Sequence, residues 1–499
     1  MSDVHAAVDL GVQTGRVVVG RLQQGRVSMR EVYRFANRTK RVEATLRWDL
    51  ERLFGEVLAG LGAAAKLFPD LSSVGVDAWG SDFGLLDARG RMLGAPFHHG
   101  DQRTEGISAR LHSRVPEEEL WAETGVQPSR SNTLHQLFAM VRRRSSTLSR
   151  ATRLLLIPDL LGAWLCGAQA AEHTVASTTQ CYDHERRAWL TPLLGRAGIP
   201  VHLFPPVVPS GTSLGRVQGA AARRAGLASV DVIAPASHRT ASAVAGLPAE
   251  VPNFAFILAG TSSEVGAVTG SPVKAEAAWK LGFTNGAAAD GATHLYRTTA
   301  GLRLVHACRR AWVHAGEALD DEALAAVART GRRFLAIVDP DDPSLAGSDD
   351  VFAALVALGA RTGQDVSGTR ADLLRIVLES LAWNYRRAIQ ELEALLERRL
   401  DVIHMVGEGA RNALLCQLTA DACRRPVLAG PVEAAALGNV LAQAVATGTC
   451  ASWAEARLLA RASITPIRYE PLDATAWDEA SARLETVLDG DQIDGGSLQ

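Results

Sequence analysis

The chain has 499 residues, 47% of them hydrophobic and 21% charged, a length beyond one hydrophobic core and a composition able to fill two. Lysine and arginine number 52 against 54 acidic residues, so the net charge of −2 offers no global field for nucleic acid or anionic membrane. No apolar run is long enough to span a bilayer and the Met-Ser-Asp-Val start lacks a leader pattern, so a cytoplasmic protein without a membrane or nucleic-acid partner is expected.

In chain order, "HAAVDLG", "RVVVGRLQ" and "RVSMREVYRF" read as three strands joined by tight turns. Trp48 to Phe68 carries Leu, Phe and Val at helical spacing, and "SVGVDAWG" returns to a strand, giving βββαβ. "PASHRTASAVAG" (Pro235 to Gly246) has a strand giving way to a helix through a His and a hydroxyl. The prolines of "LPAEVP" mark a boundary near Leu247 to Pro252. Near Val251 the same ingredients begin again, as the strand "NFAFILAG" runs into the turn of "TSSEVGAV". Thr369 and Asp372 stand at capping-box spacing before a long apolar stripe from Leu374 to Leu395, which predicts a long helix. Domains are therefore expected at 1–247 and 248–489, with a disordered tail at 490–499. Six scattered cysteines without Cys-x-x-Cys spacing read as buried apolar residues rather than disulfides or a zinc site.

Three turns carry candidate chemistry. "VDLGVQTGR" puts Asp9 at a strand end before Gly11, Gln13, Thr14 and Gly15, a hairpin able to aim backbone N–H groups and hydroxyls at phosphate while the carboxylate serves a hydrated Mg²⁺. "LAGTSSEVG" repeats the device with Thr261 and Ser262. "HMVGEGARNALLCQLTADACRRP" is a strand, a glycine turn and a helix, suited to packing backbone against a base or ribose. One such hairpin is commonly only a hairpin; three in this order are far more specific.

On "VDLG" with "TGR", "GVDAWGSDFGLLD", "PDLLGAWLCG", "GIPVHLFPPVVPSGTSLG", "ASHRTASAV", "LESLAWNYR" and "LLCQLTADACRRPVLAGPVEAAALGNVLAQA", the chain resembles the FGGY family of carbohydrate kinases, its rhamnulokinase branch in particular, from Val8 to about Gly448. The resemblance implies a two-domain α/β fold of the actin/hexokinase-like ATPase type with ligand between the domains. It also implies ATP and Mg²⁺ as cofactors and phosphorylation of a ketose hydroxyl. Position by position, it places Val12, Gln13, Thr14, Gly15, Arg16, Thr261 and His306 on the nucleotide's phosphates or ATP, Gly409 on the adenosine and Asp9 on the metal. Gly80, His238, Thr240 and Thr298 would meet the sugar.

The chain also departs from the family pattern. Arg239 stands where these kinases carry the aspartate that accepts the proton of the attacking hydroxyl, and a guanidinium has no lone pair to offer. Family-like "YRD" is His99-Gly100-Asp101, and "SGTWS" is "AGTSS". Thr298 replaces an Asn, Glu408 interrupts a glycine turn, and His306 replaces a Gln. Three readings follow. One is a working sugar kinase in which Asp82 or Asp101 supplies the carboxylate. Another is a pseudokinase that binds nucleotide or sugar phosphate as a sensor or partner, with Arg239 as an anion clamp. The third, a sugar-responsive repressor, would need a DNA-binding helix pair, for which the first strand at His5 leaves no room.

Overall fold

The computed structural model describes residues 3–219, 222–223, 225–314, 319–345, 350–473 and 475–482. The expected tail at 490–499 lies outside them. The chain forms two compact units whose segments interleave: residues 1–248, 268–295 and 434–464 make the first, and 249–267, 296–433 and 465–499 the second.

The sheet of the first unit orders its strands as Thr212–Arg216, Asp231–Ala234, Leu71–Asp77, Asp3–Leu10, Thr14–Gln23 and Arg26–Ala36. Alternation along the strands sends Val4, Ala6, Val8 and Leu10, with Val74 and Val76, into a core shared with the Leu50–Leu67 helix and with Leu160, Leu161 and Leu165 of the Ile157–Cys166 helix. Ala7 lies in a second core, built with Leu437, Val440 and Leu441 of the Ala434–Ala446 helix. On that helix the buried amides of Asn439 and Gln443 reach Asp77 and Ser73. Period-2 geometry therefore separates one apolar face from a face that carries polar groups, and Asp9 and Asp77 end adjacent parallel strands in direct register.

The Arg239–Ala245 helix lies against the Ala434–Ala446 helix so closely that a Cβ on Gly438 would collide with the Ser242 carbonyl and one on Gly246 with the Ala434 carbonyl. Gly438→Ala is accordingly expected to cost about 2 kcal/mol or more by overpacking, read as a lower urea midpoint. An unchanged midpoint would show that this approach is not maintained in solution.

The second sheet has seven strands in the order Ile467–Tyr469, Val427–Ala429, Val402–Val406, Phe254–Ala259, Ser262–Thr269, Thr293–Ala300 and Thr284–Ala287; its central parallel strands and hairpin are arranged as in the first sheet, while its two outer strands follow the opposite chain order. From the outer strand inward the senses match as well: antiparallel, parallel, parallel, then the antiparallel hairpin. The duplication read from two strand–turn–strand segments is thus present in topology. The long helix spans Arg370–Leu396 and opens with the expected capping box between Thr369 and Asp372. All six cysteines are buried and unpaired with one another. Among the described residues no helix is long and apolar enough to cross a membrane.

Candidate active site

The first hairpin closes through Gly11 N–H donating to the Thr14 carbonyl at 2.8 Å. Val12, Gln13 and Thr14 stand exposed at its tip, whereas Gly15 and Arg16 are buried. Asp9 is 2% exposed, and both of its oxygens accept from guanidinium groups. Oδ2 receives Arg16 Nε at 2.8 Å and Nη2 at 2.6 Å, and Oδ1 receives Arg239 Nε at 2.8 Å. Burial opposes the charge, but Arg239 and Arg16 together hold the Asp9 carboxyl well below the usual carboxylate range. The neighbouring Asp77 goes the other way, since burial and then the Asp9 charge raise its pKa well above the ordinary value. One oxygen of Asp77 accepts from Asn439 at 2.6 Å and the other is buried without a hydrogen-bond partner. The two neighbouring carboxyls are thus shifted in opposite directions, and Asp9 is clasped by two guanidiniums.

This arrangement decides how a divalent ion would fare. With both Asp9 oxygens engaged by guanidiniums, a cation brought to Asp9 would meet the positive charges of Arg16 and Arg239. Among the described residues no three His, Cys, Asp or Glu side chains converge as a metal set. With Arg239 where it stands, these residues do not fit Mg²⁺.

Arg239 is held from its backbone too. Its N–H donates to the Ala78 carbonyl at 3.0 Å, Ala78 N–H donates to Ser237 at 2.9 Å, and its side chain stays 45% exposed. His238 is nearly buried, and burial, then His294 and Arg239, push its pKa down to about 3, so it presents a neutral ring. Its Nε2 lies 3.5 Å from Thr240 Oγ1. The loop is fastened by Glu172, which no sequence motif had singled out. This fully buried carboxylate accepts from the N–H groups of Thr174, Val175 and Ser237, while Thr174 Oγ1 accepts from His238 N–H at 3.0 Å.

Gly80 packs so tightly on Thr178 that a Cβ would collide with it. Asp82 is fully buried and its oxygens are engaged: Oδ2 accepts from Trp48 at 2.7 Å, Trp79 at 3.0 Å and His99 Nδ1 at 2.9 Å, and Oδ1 accepts from Gln136 at 3.1 Å. Burial works against the charge, yet these donors lower its pKa, and its present task is to orient two indoles and an imidazole. Asp101 caps the Gln102–Thr104 turn and accepts from Leu46 N–H at 2.6 Å.

In the second unit Thr261 and Ser262 are exposed at the tip of the second hairpin. The Thr261 carbonyl accepts from Arg303 N–H at 3.1 Å, seating the hairpin on the start of the Arg303–His314 helix. Gly407 has φ 81°, a conformation that favours glycine, and a Cβ on the buried Gly409 would strike Ala259. Thr298 is exposed. His306 Nε2 lies 2.9 Å from Glu408 Oε1, and this hydrogen bond is the main cause of a lowered Glu408 pKa. His306 and Glu408, each read from the sequence as a separate replacement, are therefore one hydrogen-bonded pair.

A model of the N-terminal domain of FGGY carbohydrate kinases matches residues 4–246 and one of the C-terminal domain matches 255–447. The chain belongs to the FGGY family of carbohydrate kinases. It is 35% identical over 474 residues to a rhamnulokinase of Bacteroides thetaiotaomicron, covering 95% of this chain and 97% of that one. It is 34% identical to a rhamnulokinase of Enterococcus faecalis, covering 94% and 95%. Among solved structures, a ligand-bound xylulose kinase from Lactobacillus acidophilus superposes with a TM-score of 0.82 at 15% identity, over 99% of each chain. A gluconate kinase from the same organism gives 0.81 at 14% identity, over 100% of this chain and 99% of that one. The fold is accordingly the two-domain α/β fold of the FGGY and actin/hexokinase-like ATPases.

Proposed function

We propose that this FGGY protein is built for phosphoryl transfer from ATP to a ketose of the rhamnulose type, and that Arg239 has turned its proton-accepting position into a phosphate-holding one. Family membership supports the general sugar-kinase reaction, and the rhamnulokinase relatives point to the sugar. The observation that carries the chain-specific part is the Arg239 Nε bond to Asp9. It turns a guanidinium, rather than a carboxylate, from between His238 and Thr240 toward Asp9.

In the ordinary reaction a base within hydrogen-bond reach removes the hydroxyl proton as the oxygen attacks the γ-phosphorus. That base is worth about 10²–10⁴ in rate, while positioning and charge stabilisation supply most of the rest. Arg239 cannot accept the proton, but its paired donors suit phosphate oxygens. Turnover is therefore slow and a phosphorylated ligand is retained. Asp82 does not substitute as the base on this reading, since its oxygens are committed to Trp48, Trp79, His99 and Gln136. A sensor or partner role without turnover is the second reading, favoured by the same Asp9 clasp. A coupled assay of ADP release over a panel of ketoses, beside calorimetric binding of ketose 1-phosphates, separates them: binding without turnover selects the sensor. Ordinary turnover at about 1–100 s⁻¹ would refute the retained-ligand reading.

On the adenosine side, the His306–Glu408 pair occupies the edge of the Gly407–Gly409 turn. Glu408→Gly is expected to tighten ATP binding about fivefold, the worth of one hydrogen bond of about 1 kcal/mol. Equal affinities of the two forms by calorimetry would remove Glu408 from nucleotide binding.

A further inference from the structure

We infer that the turn joining the Thr133–Arg142 and Ser146–Arg150 helices carries a binding site for the phosphate group of a small molecule, apart from the position at Asp9. It stands on other residues than the reading above and does not depend on it.

The turn borders a cavity of about 370 Å³, a volume at the small end of the range that metabolite sites occupy. Buried Ala139 and Met140 and the half-buried Phe97 ring give it an apolar wall. Arg143, Arg144, Ser145 and Ser146 supply its polar side, and no carboxylate is among the described residues that line it. Arg143 and Arg144 are exposed, and neither forms an ion pair with a described residue. Arg143 is nevertheless held in place, since its Nη2 donates to the Arg103 carbonyl at 3.2 Å. A neutral acceptor fixes the guanidinium without cancelling its charge. Arg103 also lines the cavity. Its side chain is 3% exposed, Nη1 lies 3.5 Å from Asp101 Oδ1, and its guanidinium carbon stands 3.8 Å from the centre of the Phe97 ring. Nη2 donates to Gln136 Oε1, but Nε is buried with no hydrogen-bond partner. A buried donor left unpaired is costly, and an anion oxygen beside Arg103 is the acceptor that the protein itself does not supply.

The backbone of the turn points the same way. Arg144 N–H donates to the Val141 carbonyl at 3.0 Å and Ser145 N–H to the Met140 carbonyl at 3.0 Å, the pair of bonds that closes a helix through a left-handed residue. That residue is Arg144, with φ 48°, where glycine is ordinarily found. Arginine there gives up backbone stability and sets a cation beside the cavity. Two guanidiniums and two hydroxyls suit the oxygens of a phosphate, which arginine meets bidentately, while the apolar wall suits a short carbon chain. Arg142 and Arg150, on the flanking helices, are exposed as well but do not line the cavity.

Calorimetry with inorganic phosphate and with glycerol 3-phosphate distinguishes free phosphate from a phosphate monoester as the ligand. The titrations are run in the natural protein and in Arg239→Met, which removes the phosphate-holding guanidinium at Asp9, so that binding persisting there belongs elsewhere. In Arg239→Met at least one probe is expected to bind with a Kd of about 1 mM or below. Adding Arg143→Gln with Arg144→Gly is expected to weaken that binding at least about tenfold. The urea midpoint should not fall, because glycine suits φ 48° at position 144. Adding Arg142→Gln with Arg150→Gln instead removes the same charge from the same surface and is expected to leave the affinity within about twofold. Tighter binding of glycerol 3-phosphate than of phosphate supports a monoester ligand, and equal binding supports free phosphate. No binding in Arg239→Met, unchanged affinity without Arg143 and Arg144, or an equal loss without Arg142 and Arg150 would each overturn the inference.

Discussion

Arg239→Asp is expected to raise phosphorylation of a rhamnulose-like ketose by about 10²-fold or more over the natural protein, measured as ADP release. The substitution acts twice. It supplies the lone pair that a guanidinium lacks, at the head of the Arg239–Ala245 helix and beside His238 and Thr240. It also releases Oδ1 of Asp9, while Arg16 stays on Oδ2. The local charge then reverses, since carboxylates at 9 and 239 with one guanidinium now favour a divalent ion, and the gained activity should require Mg²⁺. The recovery is expected to stay partial because Gly100, Thr298 and the His306–Glu408 pair, read from the sequence as further departures, are unchanged. A folded Arg239→Asp protein that binds MgATP and ketose yet turns over no faster than the natural one would show that the base position is not what limits this chain.

What could be read from the residue order was whatever local rules dictate. Alternation fixed the strands of both hairpins, and the Thr369–Asp372 box fixed the start of the long helix. The repeated turn chemistry pointed to a duplication that reappears as two sheets with the same succession of antiparallel and parallel pairings about a central hairpin. Pairings between distant residues left no such trace. Residues 268–295 and 434–464 group with the N-terminal unit although neither composition nor a linker marks them off from their neighbours. Arg239 looked like the loss of a base, but 230 residues away in sequence it gains Asp9 as a partner. Glu408 looked like an intruding charge and His306 like a separate replacement, until their 2.9 Å contact made each the reason the other is tolerated. Asp82 lay within a quoted motif, but nothing in the motif could say that two indoles, an imidazole and an amide would consume its hydrogen-bonding capacity.

Glu172 shows the same limit most sharply, and its replacement carries the largest expected loss of stability. Its Oε2 accepts from Thr174 N–H at 2.9 Å, Thr174 Oγ1 at 2.5 Å, Val175 N–H at 3.2 Å and Ser237 N–H at 3.0 Å, and its Oε1 accepts from Ser210 Oγ at 2.6 Å. The side chain is fully buried, so water cannot replace it without opening the structure. Hydrogen bonds to a charged group are each worth about 1.5–3 kcal/mol, and buried donors left without a partner cost about 1–3 kcal/mol each, though neither set adds linearly. Glu172→Ala is therefore expected to destabilise its unit by about 3 kcal/mol or more, against about half that for Glu172→Gln, which retains one acceptor oxygen. The consequence reaches the candidate site through two short bridges, Glu172 to Ser237 N–H and Glu172 through Thr174 to His238 N–H. Loosening both frees the backbone that aims Arg239 at Asp9. Under conditions where Glu172→Gln remains folded, its affinity for a ketose 1-phosphate should fall with its urea midpoint, and the loss should vanish in an Arg239→Met background, where there is no guanidinium left to aim. An unchanged midpoint would refute the anchoring role, and an undiminished affinity in the folded Gln variant would separate Glu172 from the site.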